Sequence, residues 1–217
     1  MATVERPLRR DAERNRQRIL DAAQELFTER GLGVTLNDIA HHAEVGVGTV
    51  YRRFPDKQQL IDALFDEHIG EMVTLAEEGL ADPDPWQGLV GFLERGLDLQ
   101  ACNRGLKELL HNTPEGSPLV EVARDRLLPL LGALVERARD AGALRADIEP
   151  QDLPLVQMMM GEIIDRTRDV DPDLWRRYLA LVLSGLRAHP DPTAPLPVDA
   201  PDLSQVDRVM RTQRPRR

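Results

Sequence analysis

Apolar residues recur every three or four positions along most of this chain, which is the spacing of one face of an α-helix. The first such stripe runs from about residue 11 to residue 30 and consists of Ile19, Ala22, Ala23, Leu26 and Phe27. No segment shows the strict apolar and polar alternation that marks a half-buried strand, and only 4% of the residues are aromatic. The sequence therefore predicts an all-α fold.

Start and stop signals divide the periodic sequence into separate helices. Gly31 is a typical helix stop. Thr35 and Asp38 form a capping box at the start of the next helix, and Val34 and Ile39 are placed to pack together as a hydrophobic staple. Comparable signals predict further helices over residues 36–43, 47–54, 57–80, 86–112, 118–141, 149–167 and 171–188.

The predicted helices over residues 36–43 and 47–54 are short and are separated only by residues 44–46. One face of the second helix is predicted to be apolar and carries Val47, Val50, Tyr51 and Phe54. The opposite face carries Gly48, Thr49, Arg52 and Arg53. Two short helices that are joined by a tight turn and preceded by a longer helix form a helix-turn-helix arrangement.

Charge is distributed unevenly along the 217 residues, whose formal net charge is -9. The first 57 residues contain ten basic and nine acidic side chains, whereas the remainder contains 18 basic and 28 acidic ones. Three arginines, Arg6, Arg9 and Arg10, precede the first predicted helix. They are predicted to form either a flexible arm that reaches DNA or a solvated tail. This asymmetry is compatible with a small nucleic-acid-binding head on an acidic body.

Composition excludes several classes of protein. No apolar run approaches the roughly 18 residues that a membrane helix needs, and the arginine-rich start lacks the apolar core of a secretory signal. We therefore expect a cytoplasmic protein that does not bind a membrane. Cys102 is the only cysteine, which excludes an internal disulfide and a thiolate-based structural zinc site within one chain.

Glu108 and His111 have the Glu-x-x-His spacing that supplies half of a di-iron carboxylate site. The complete site needs a second such motif, which the sequence lacks. Three serines, Ser117, Ser184 and Ser204, lie in no Gly-x-Ser-x-Gly setting, so a nucleophile elbow is also missing. A helical-bundle metal enzyme is the weakest alternative, and we expect neither enzymatic activity nor a cofactor.

The most specific motif lies at the second short helix. Residues 35–40, Thr-Leu-Asn-Asp-Ile-Ala, and residues 43–57, Ala-Glu-Val-Gly-Val-Gly-Thr-Val-Tyr-Arg-Arg-Phe-Pro-Asp-Lys, resemble the DNA-binding domain of the TetR family of transcriptional regulators. The motif resemblance covers about residues 14–65, and the helices ending near residue 188 fit the remainder. It implies a three-helix helix-turn-helix domain followed by a helical-bundle domain for effector binding and dimerisation.

The resemblance implies that residues 47–54 enter the major groove of DNA. Small side chains at the start of this helix allow close approach to phosphate, and Lys57 matches the family's phosphate-contacting lysine. Arg52 and Arg53 lie on the exposed face, where an arginine reads guanine or holds phosphate. The implied DNA-binding residues are Thr35, Gly48, Thr49, Tyr51, Arg52, Arg53 and Lys57.

Three positions depart from the family pattern. Glu44 stands where glycine is common, at a turn position that needs a positive φ, and this predicts a mildly strained turn. Gly46 replaces the serine that usually caps the recognition helix, and Arg53 replaces the more frequent histidine or tyrosine. These departures affect the choice of operator rather than the fold.

The resemblance also implies an effector-binding and dimerisation domain after about residue 81. The predicted effector-binding residues are His68, Met72, Phe92, His111, Met158 and Glu162. The predicted dimer interface is a two-fold four-helix contact that contains Val156, Ile163, Tyr178, Leu181, Val182 and Gly185. A plain core role is the alternative for most apolar residues in both sets.

Four regions are therefore predicted: a basic arm and helix-turn-helix domain (1–57), a connecting helix (58–80), an effector-binding and dimerisation domain (81–188) and a proline-rich flexible tail (189–217). Within the tail, residues 206–212 are a candidate short helix. The expected function is that of a homodimeric, sequence-specific DNA-binding transcriptional regulator. We expect a repressor that an unidentified small-molecule effector releases from a palindromic operator, with a regulator that has no such effector as the alternative.

Overall fold

The chain is built from helices, as the spacing of its apolar residues predicts. The computed structural model describes residues 5–102, 118–189 and 196–211, which form helices and one isolated antiparallel bridge between Leu144 and Arg187. The helices are α1 (Glu5–Arg30), α2 (Leu36–His42), α3 (Val47–Arg53), α4 (Lys57–Ala81), α5 (Pro85–Cys102), α6 (Pro118–Asp140), α7 (Asp152–Thr167), α8 (Leu174–Leu186) and α9 (Leu203–Arg211), with a short 3-10 turn at Gly31–Gly33. The prediction of an all-α fold is confirmed.

Two compact units make up the described chain. The first contains residues 5–68 and residue 102, and the second contains residues 69–101, 118–189 and 196–211. Helix α4 begins in the first unit and ends in the second. Within the described ranges, no helix is both long enough and apolar enough to cross a membrane.

The first unit is held together by the apolar stripe of α1. Leu20, Leu26 and Phe27 are buried in one cluster with Ile39 of α2 and Val50 of α3. Full burial of a side chain of this size contributes about 1.5–3 kcal/mol, so packing against α1 dominates the stability of two helices that are too short to form alone. Consequently α1 fixes the positions of both helices of the helix-turn-helix.

The start of α1 differs from the prediction. Arg6, Arg9 and Arg10 lie inside this helix, because it begins at Glu5 and not near residue 11. The apolar stripe marks where α1 becomes buried, whereas the polar turns before it are held by ion pairs one turn apart, such as that between Arg14 and Asp11. At the other end, Gly31 has a φ of 68°, and the predicted helix stop is confirmed.

Two apolar clusters stabilise the second unit. The larger one joins the second half of α4 to α5, α6 and α8, with Trp86, Phe92 and Leu134 among its buried side chains. The smaller one joins α5, α7 and α8 around Trp175 and Met160. Helices α4 and α5 cross at Gly79 and Gly88, where their backbones approach too closely for a larger residue. A Cβ atom added at Gly79 would lie only 2.7 Å from the Gly88 carbonyl oxygen.

Helix α8 begins three residues later than the predicted start at Asp171. The Asp171 carboxylate accepts a hydrogen bond from the Asp173 backbone N–H (2.9 Å), and the Leu174 N–H donates to the Asp171 carbonyl (3.2 Å). These bonds form a turn in front of the helix rather than its first turn. Helix α7 likewise begins at Asp152 and not at residue 149. The predicted continuation of α5 to residue 112 lies outside the described residues beyond Cys102.

Helix α9 lies in the segment that the sequence predicts to be a flexible tail. Asp202 caps it by accepting from the Gln205 N–H (2.8 Å), while the Gln205 side chain accepts from the Asp202 N–H (2.8 Å). This reciprocal pair starts the helix three residues before Val206, whose side chain is buried. Helix α9 contacts α7, and the Leu196 N–H donates to the Asp147 carboxylate (3.1 Å). Residues 190–195 and 212–217 lie outside the described ranges.

Candidate DNA-binding interface

The start of α2 is fixed by the capping box that the sequence predicts. The Asp38 N–H donates to Thr35 Oγ1 (3.2 Å), and the Thr35 N–H and hydroxyl donate to Asp38 Oδ2 (2.9 and 2.6 Å). These hydrogen bonds to the charged carboxylate lower the pKa of Asp38. Val34 and Ile39 are both buried, as the predicted staple requires. The capping box is confirmed, and Thr35 is exposed beside it.

The turn between α2 and α3 passes through a residue in the left-handed region. Glu44 has a φ of 54°, as the comparison with the family pattern predicts for this position. The Val45 N–H donates to the Ala40 carbonyl (3.0 Å) and closes the end of α2. Gly46 precedes α3 without a side-chain cap, and its carbonyl accepts from the Thr49 N–H (2.7 Å). Backbone hydrogen bonds, rather than a side-chain cap, therefore form the start of α3.

Helix α3 exposes more of its surface than the sequence predicts. Val50 and Phe54 are buried, but Val47 is 46% exposed and Tyr51 is 45% exposed. The prediction of one apolar face that contains all four residues is therefore wrong for Val47 and Tyr51. The stripe is about 100° wide on the helix, and the core covers only the edge that carries Val50 and Phe54. Tyr51 thus lies on the exposed side with Gly48 and Arg52.

The two arginines of α3 have different partners. Arg52 Nε donates to the Gly48 carbonyl (3.0 Å) and Nη2 to Thr49 Oγ1 (3.4 Å), so this side chain folds back along its own helix. Arg53 Nη2 lies 3.5 Å from Glu13 Oε2 on α1. Both guanidinium groups remain exposed. Glu13 is a residue that sequence reasoning missed, because no local pattern connects it to α3.

Lys57 is the first residue of α4, directly after the Asp56 cap. Asp56 Oδ1 accepts from the Gln59 N–H (2.8 Å), and the predicted cap is confirmed. The Lys57 ammonium lies 5.5 Å from the centre of the Phe27 ring, and partial burial lowers the pKa of Lys57. This contact joins the ammonium group at the beginning of α4 to α1.

Side-chain contacts brace α1 against the rest of the first unit. Glu25 Oε2 lies 2.7 Å from His42 Nε2 of α2, and Gln17 Nε2 donates to Glu67 Oε1 of α4 (2.9 Å). The exposed face of α3 is therefore carried by a unit whose helices are joined by polar contacts as well as by the core. A rigid scaffold of this kind is what a recognition helix requires.

The predicted effector-binding residues that the structure describes have different surroundings. Met72 and Phe92 are buried in the same cluster, and Met158 is half-buried. Glu162 is exposed and lies 3.6 Å from Arg166. His68 belongs to the first unit, where burial lowers its pKa to about 4, and His111 lies outside the described residues.

Two glutamines that the sequence does not reveal lie where α5 crosses α7. Gly96 of α5 is in close contact with Gln157 and Met72. A Cβ atom added at Gly96 would lie 3.0 Å from Gln157 Nε2 and 3.1 Å from Met72 Cε. In the reciprocal contact, the Gln100 carboxamide lies against Gly161. Each helix thus places a glutamine on a glycine of the other, and the matching order of the pairs shows that both helices run in the same direction here. Paired Gly-x-x-x-Gln and Gln-x-x-x-Gly spacings are the signal that was available in the sequence.

The predicted dimer residues divide into an exposed and a half-buried set. Tyr178 is 40% exposed and Leu181 is 61% exposed on α8, and Gly185 follows them on the same face. Val156, Ile163 and Val182 are half-buried and pack against the smaller cluster of the second unit. Tyr178, Leu181 and Gly185 form an exposed apolar stripe along α8.

Glu108 and His111, which form the candidate metal motif, lie outside the described residues. Among the residues that the structure describes, there is no group of three or more His, Cys, Asp or Glu side chains arranged to hold a metal ion.

Comparison with known proteins covers both units. Residues 19–64 match the family model for bacterial regulatory proteins of the tetR family, and residues 84–188 match the C-terminal domain of SbtR-like transcriptional regulators. The HTH-type transcriptional regulator SAR0097 of Staphylococcus aureus is 35% identical over 109 residues, which are 48% of this chain and 56% of the relative. The chain therefore spans about half the length of that curated relative.

Solved structures extend the similarity along most of the chain. A TetR regulatory protein from Mycobacterium vanbaalenii is 32% identical, with a TM-score of 0.63 over 84% of this chain and 100% of that one. The regulator SCO0520 from Streptomyces coelicolor is 31% identical, with a TM-score of 0.63 over 82% of this chain and 99% of that one. The chain belongs to the TetR family of bacterial transcriptional regulators, and its first unit is the helix-turn-helix domain with which such a regulator binds DNA.

Proposed function

We propose that this DNA-binding regulator is a homodimeric repressor that a small molecule releases from a near-palindromic operator. The observation that carries the proposal is the exposed face of α3, where Gly48, Tyr51 and Arg52 lie on a helix whose other edge is buried in the first unit. We retain the division into residues 1–57, 58–80, 81–188 and 189–217, and we place the protein in the cytoplasm, where bacterial DNA is found.

Helix α3 is suited to direct reading of base pairs. An α-helix fits the major groove, and Arg52 has two N–H groups with the geometry to contact the O6 and N7 atoms of guanine. We assign Tyr51 of α3 to phosphate, together with Thr35 and Lys57, which lie at the starts of α2 and α4. Two copies of α3 related by a dyad contact successive major grooves about 34–36 Å apart.

The apolar stripe of α8 supports dimerisation. Tyr178 and Leu181 expose large apolar side chains, and the absence of a side chain at Gly185 permits close approach of a second helix. A stripe of this kind is stabilised when it packs against its own copy in a two-fold contact. We propose that α7 and α8 of two chains form a four-helix interface, with Val156, Ile163 and Val182 as its inner layer.

The crossing of α5 and α7 supports an effector site. Gln100, Gln157 and Met72 are flexible side chains that occupy the space left open by Gly96 and Gly161. Within the described chain neither glutamine side chain forms a hydrogen bond to another residue, so both carboxamides are available to a ligand. We propose a neutral effector that offers hydrogen-bonding groups and an apolar body, and we keep Phe92, Met158 and His111 as candidate contacts.

Release of DNA requires only modest coupling between the effector site and the DNA-binding helices. A coupling free energy of about 1–3 kcal/mol changes operator affinity roughly 5- to 150-fold. An effector that binds best to a dimer with the wrong spacing of its two α3 helices supplies this energy. Release of DNA by this mechanism requires no enzymatic step.

Selection of bound fragments from genomic DNA tests the proposal directly. Purified protein is expected to enrich a near-palindromic sequence with half-sites one helical turn apart, and sedimentation is expected to show a dimer on that operator. Neutral compounds related to products of adjacent genes are then screened for release of the labelled operator. Enrichment of no sequence, or binding of the operator by a monomer, would contradict the proposal.

A further inference from the structure

Arg52 and Arg53 are neighbours on α3 but differ in how their charge is balanced. The two hydrogen bonds of Arg52 go to a carbonyl and a hydroxyl, which carry no net charge. Arg53 instead faces the carboxylate of Glu13. In the described part of the chain, no carboxylate lies within 4 Å of Arg52. Among the described residues, therefore, no carboxylate pairs with Arg52, whereas Arg53 is paired with Glu13.

Glu13 stands between two arginines. Its Oε2 atom lies 3.5 Å from Arg53 Nη2, and its Oε1 atom lies 3.9 Å from Arg16 Nη1 one turn further along α1. The carboxylate thus connects α1 to the recognition helix. The Glu13 side chain remains largely exposed, and it lies beside Arg53 of the recognition helix.

We propose that Glu13 is a positioning residue that holds Arg53 against α1 and thereby reduces sequence-independent binding to DNA. The inference rests on DNA binding through α3. A phosphate that approaches Arg53 must displace the Glu13 carboxylate and is also repelled by it. Arg53 then contributes to affinity only where the fit of the whole recognition helix is good, and nonspecific complexes form with one contact fewer.

The size of this effect is set by the strength of an exposed ion pair. Loss of such a pair is expected to change the affinity for DNA by up to about fivefold near physiological salt. Each phosphate contact that is gained steepens the dependence of log affinity on log salt by about 0.9. The gain in salt slope distinguishes a new phosphate contact from a change in the stability of the domain.

A double-mutant cycle tests the inference. We compare the wild type, Glu13→Gln, Arg53→Gln and the double variant on a 24-base-pair duplex of mixed sequence that lacks the operator, by fluorescence anisotropy over a series of salt concentrations. Glu13→Gln is expected to raise the affinity for this duplex about two- to fivefold at low salt and to steepen the salt slope by about 0.9. In the Arg53→Gln background the same substitution is expected to give a smaller gain in affinity, from the removed repulsion alone, and no change in the salt slope.

Glu77→Gln provides the matched control, because Glu77 is an exposed glutamate of α4 and its replacement changes the net charge by the same amount. An equal gain with Glu77→Gln, or an undiminished gain in affinity and salt slope from Glu13→Gln without Arg53, would show a general effect of charge and overturn the proposal. Weaker binding by Glu13→Gln would overturn it as well, since Glu13 would then be orienting Arg53 toward DNA.

Discussion

The carboxylate of Asp38 accepts hydrogen bonds from both the backbone N–H and the hydroxyl of Thr35, and Thr35 Oγ1 in turn accepts from the Asp38 N–H. This reciprocal pair closes the first turn of α2, a helix of seven residues that supports the recognition helix. A helix so short depends strongly on its cap, because few backbone hydrogen bonds compensate for the cost of its first turn.

Thr35→Ala is therefore expected to reduce the free energy of unfolding by about 1 kcal/mol, as loss of a capping side chain generally does. Urea denaturation followed by circular dichroism measures the change. Thr74→Ala is the matched control, because Thr74 is an exposed residue inside α4 whose hydroxyl donates only to the Gly70 carbonyl one turn earlier (3.0 Å). An equal loss in both variants would show that the cap has no special role.

Glu44 adopts a left-handed backbone conformation that costs an ordinary residue about 1 kcal/mol. Glycine has no Cβ and does not bear this cost, although it loses more entropy on folding. Glu44→Gly is expected to raise the free energy of unfolding by up to about 1 kcal/mol, measured as a rise in the thermal midpoint. Glu77→Gly, in the regular part of α4, is expected to lower the free energy of unfolding by about 1 kcal/mol. Destabilisation by both substitutions would contradict the strain at Glu44.

Local features of the first unit could be predicted from the sequence, whereas contacts between distant residues could not. The cap at Thr35 and the stop at Gly31 depend on residues within one or two turns, and spacing reveals them. The unusual φ of Glu44 is instead implied by the resemblance to the TetR family pattern. The exposure of Val47 and Tyr51 depends on which edge of a stripe the core covers, and periodicity does not specify that edge.

The second unit shows the same limit. The spacing of apolar residues identifies its helices, but it does not reveal that Gln100 lies on Gly161 or that Gln157 lies on Gly96. Such contacts depend on how two helices cross. The predicted effector residue Glu162 lies on α7 close to Gln157 in sequence, yet it faces solvent because the two positions point in different directions around the helix.

The ion pair between Arg145 and Asp147 predicts how stability depends on pH. Two hydrogen bonds from Arg145 (2.8 and 2.6 Å), with a further one from the Leu196 N–H, hold the pKa of Asp147 at about 2. Because this pKa is lower in the folded state, the stabilisation is present above pH 4 and is lost as the pH falls from about 3.8 to 2. The stability difference between wild type and Asp147→Asn is expected to shrink over that range. A difference that stays constant from pH 6 to pH 2 would exclude this role.

Lys57 and Arg52 are expected to contribute to DNA binding in different ways. Lys57→Ala removes a proposed phosphate contact, so it is expected to weaken binding to operator and nonspecific duplexes alike and to reduce the salt slope by about 0.9. Anisotropy titrations at several salt concentrations measure both quantities. Loss of affinity for the operator alone would instead assign Lys57 to base recognition.

Arg52→Ala is expected to relax the preference at particular base pairs. If Arg52 contacts a guanine through both acceptors, its loss costs about 1–3 kcal/mol at that position and little elsewhere. Affinities for a set of operators with single substitutions, measured for the wild type and the variant, locate the base pair. A uniform loss across the whole set would place Arg52 on phosphate.

Leu181 is expected to stabilise the proposed dimer, because its side chain is 61% exposed in the single chain and lies on the apolar stripe of α8. Burial of a leucine contributes about 1.5–3 kcal/mol, and a two-fold interface contains it twice, so Leu181→Glu is expected to weaken dimerisation by at least about a hundredfold. Sedimentation equilibrium measures the dissociation constant. Val122→Glu on α6 is the matched control, since Val122 is also an exposed apolar residue but lies outside the stripe. If the Leu181 variant remains as tightly dimeric as the Val122 variant, the interface does not include this face of α8.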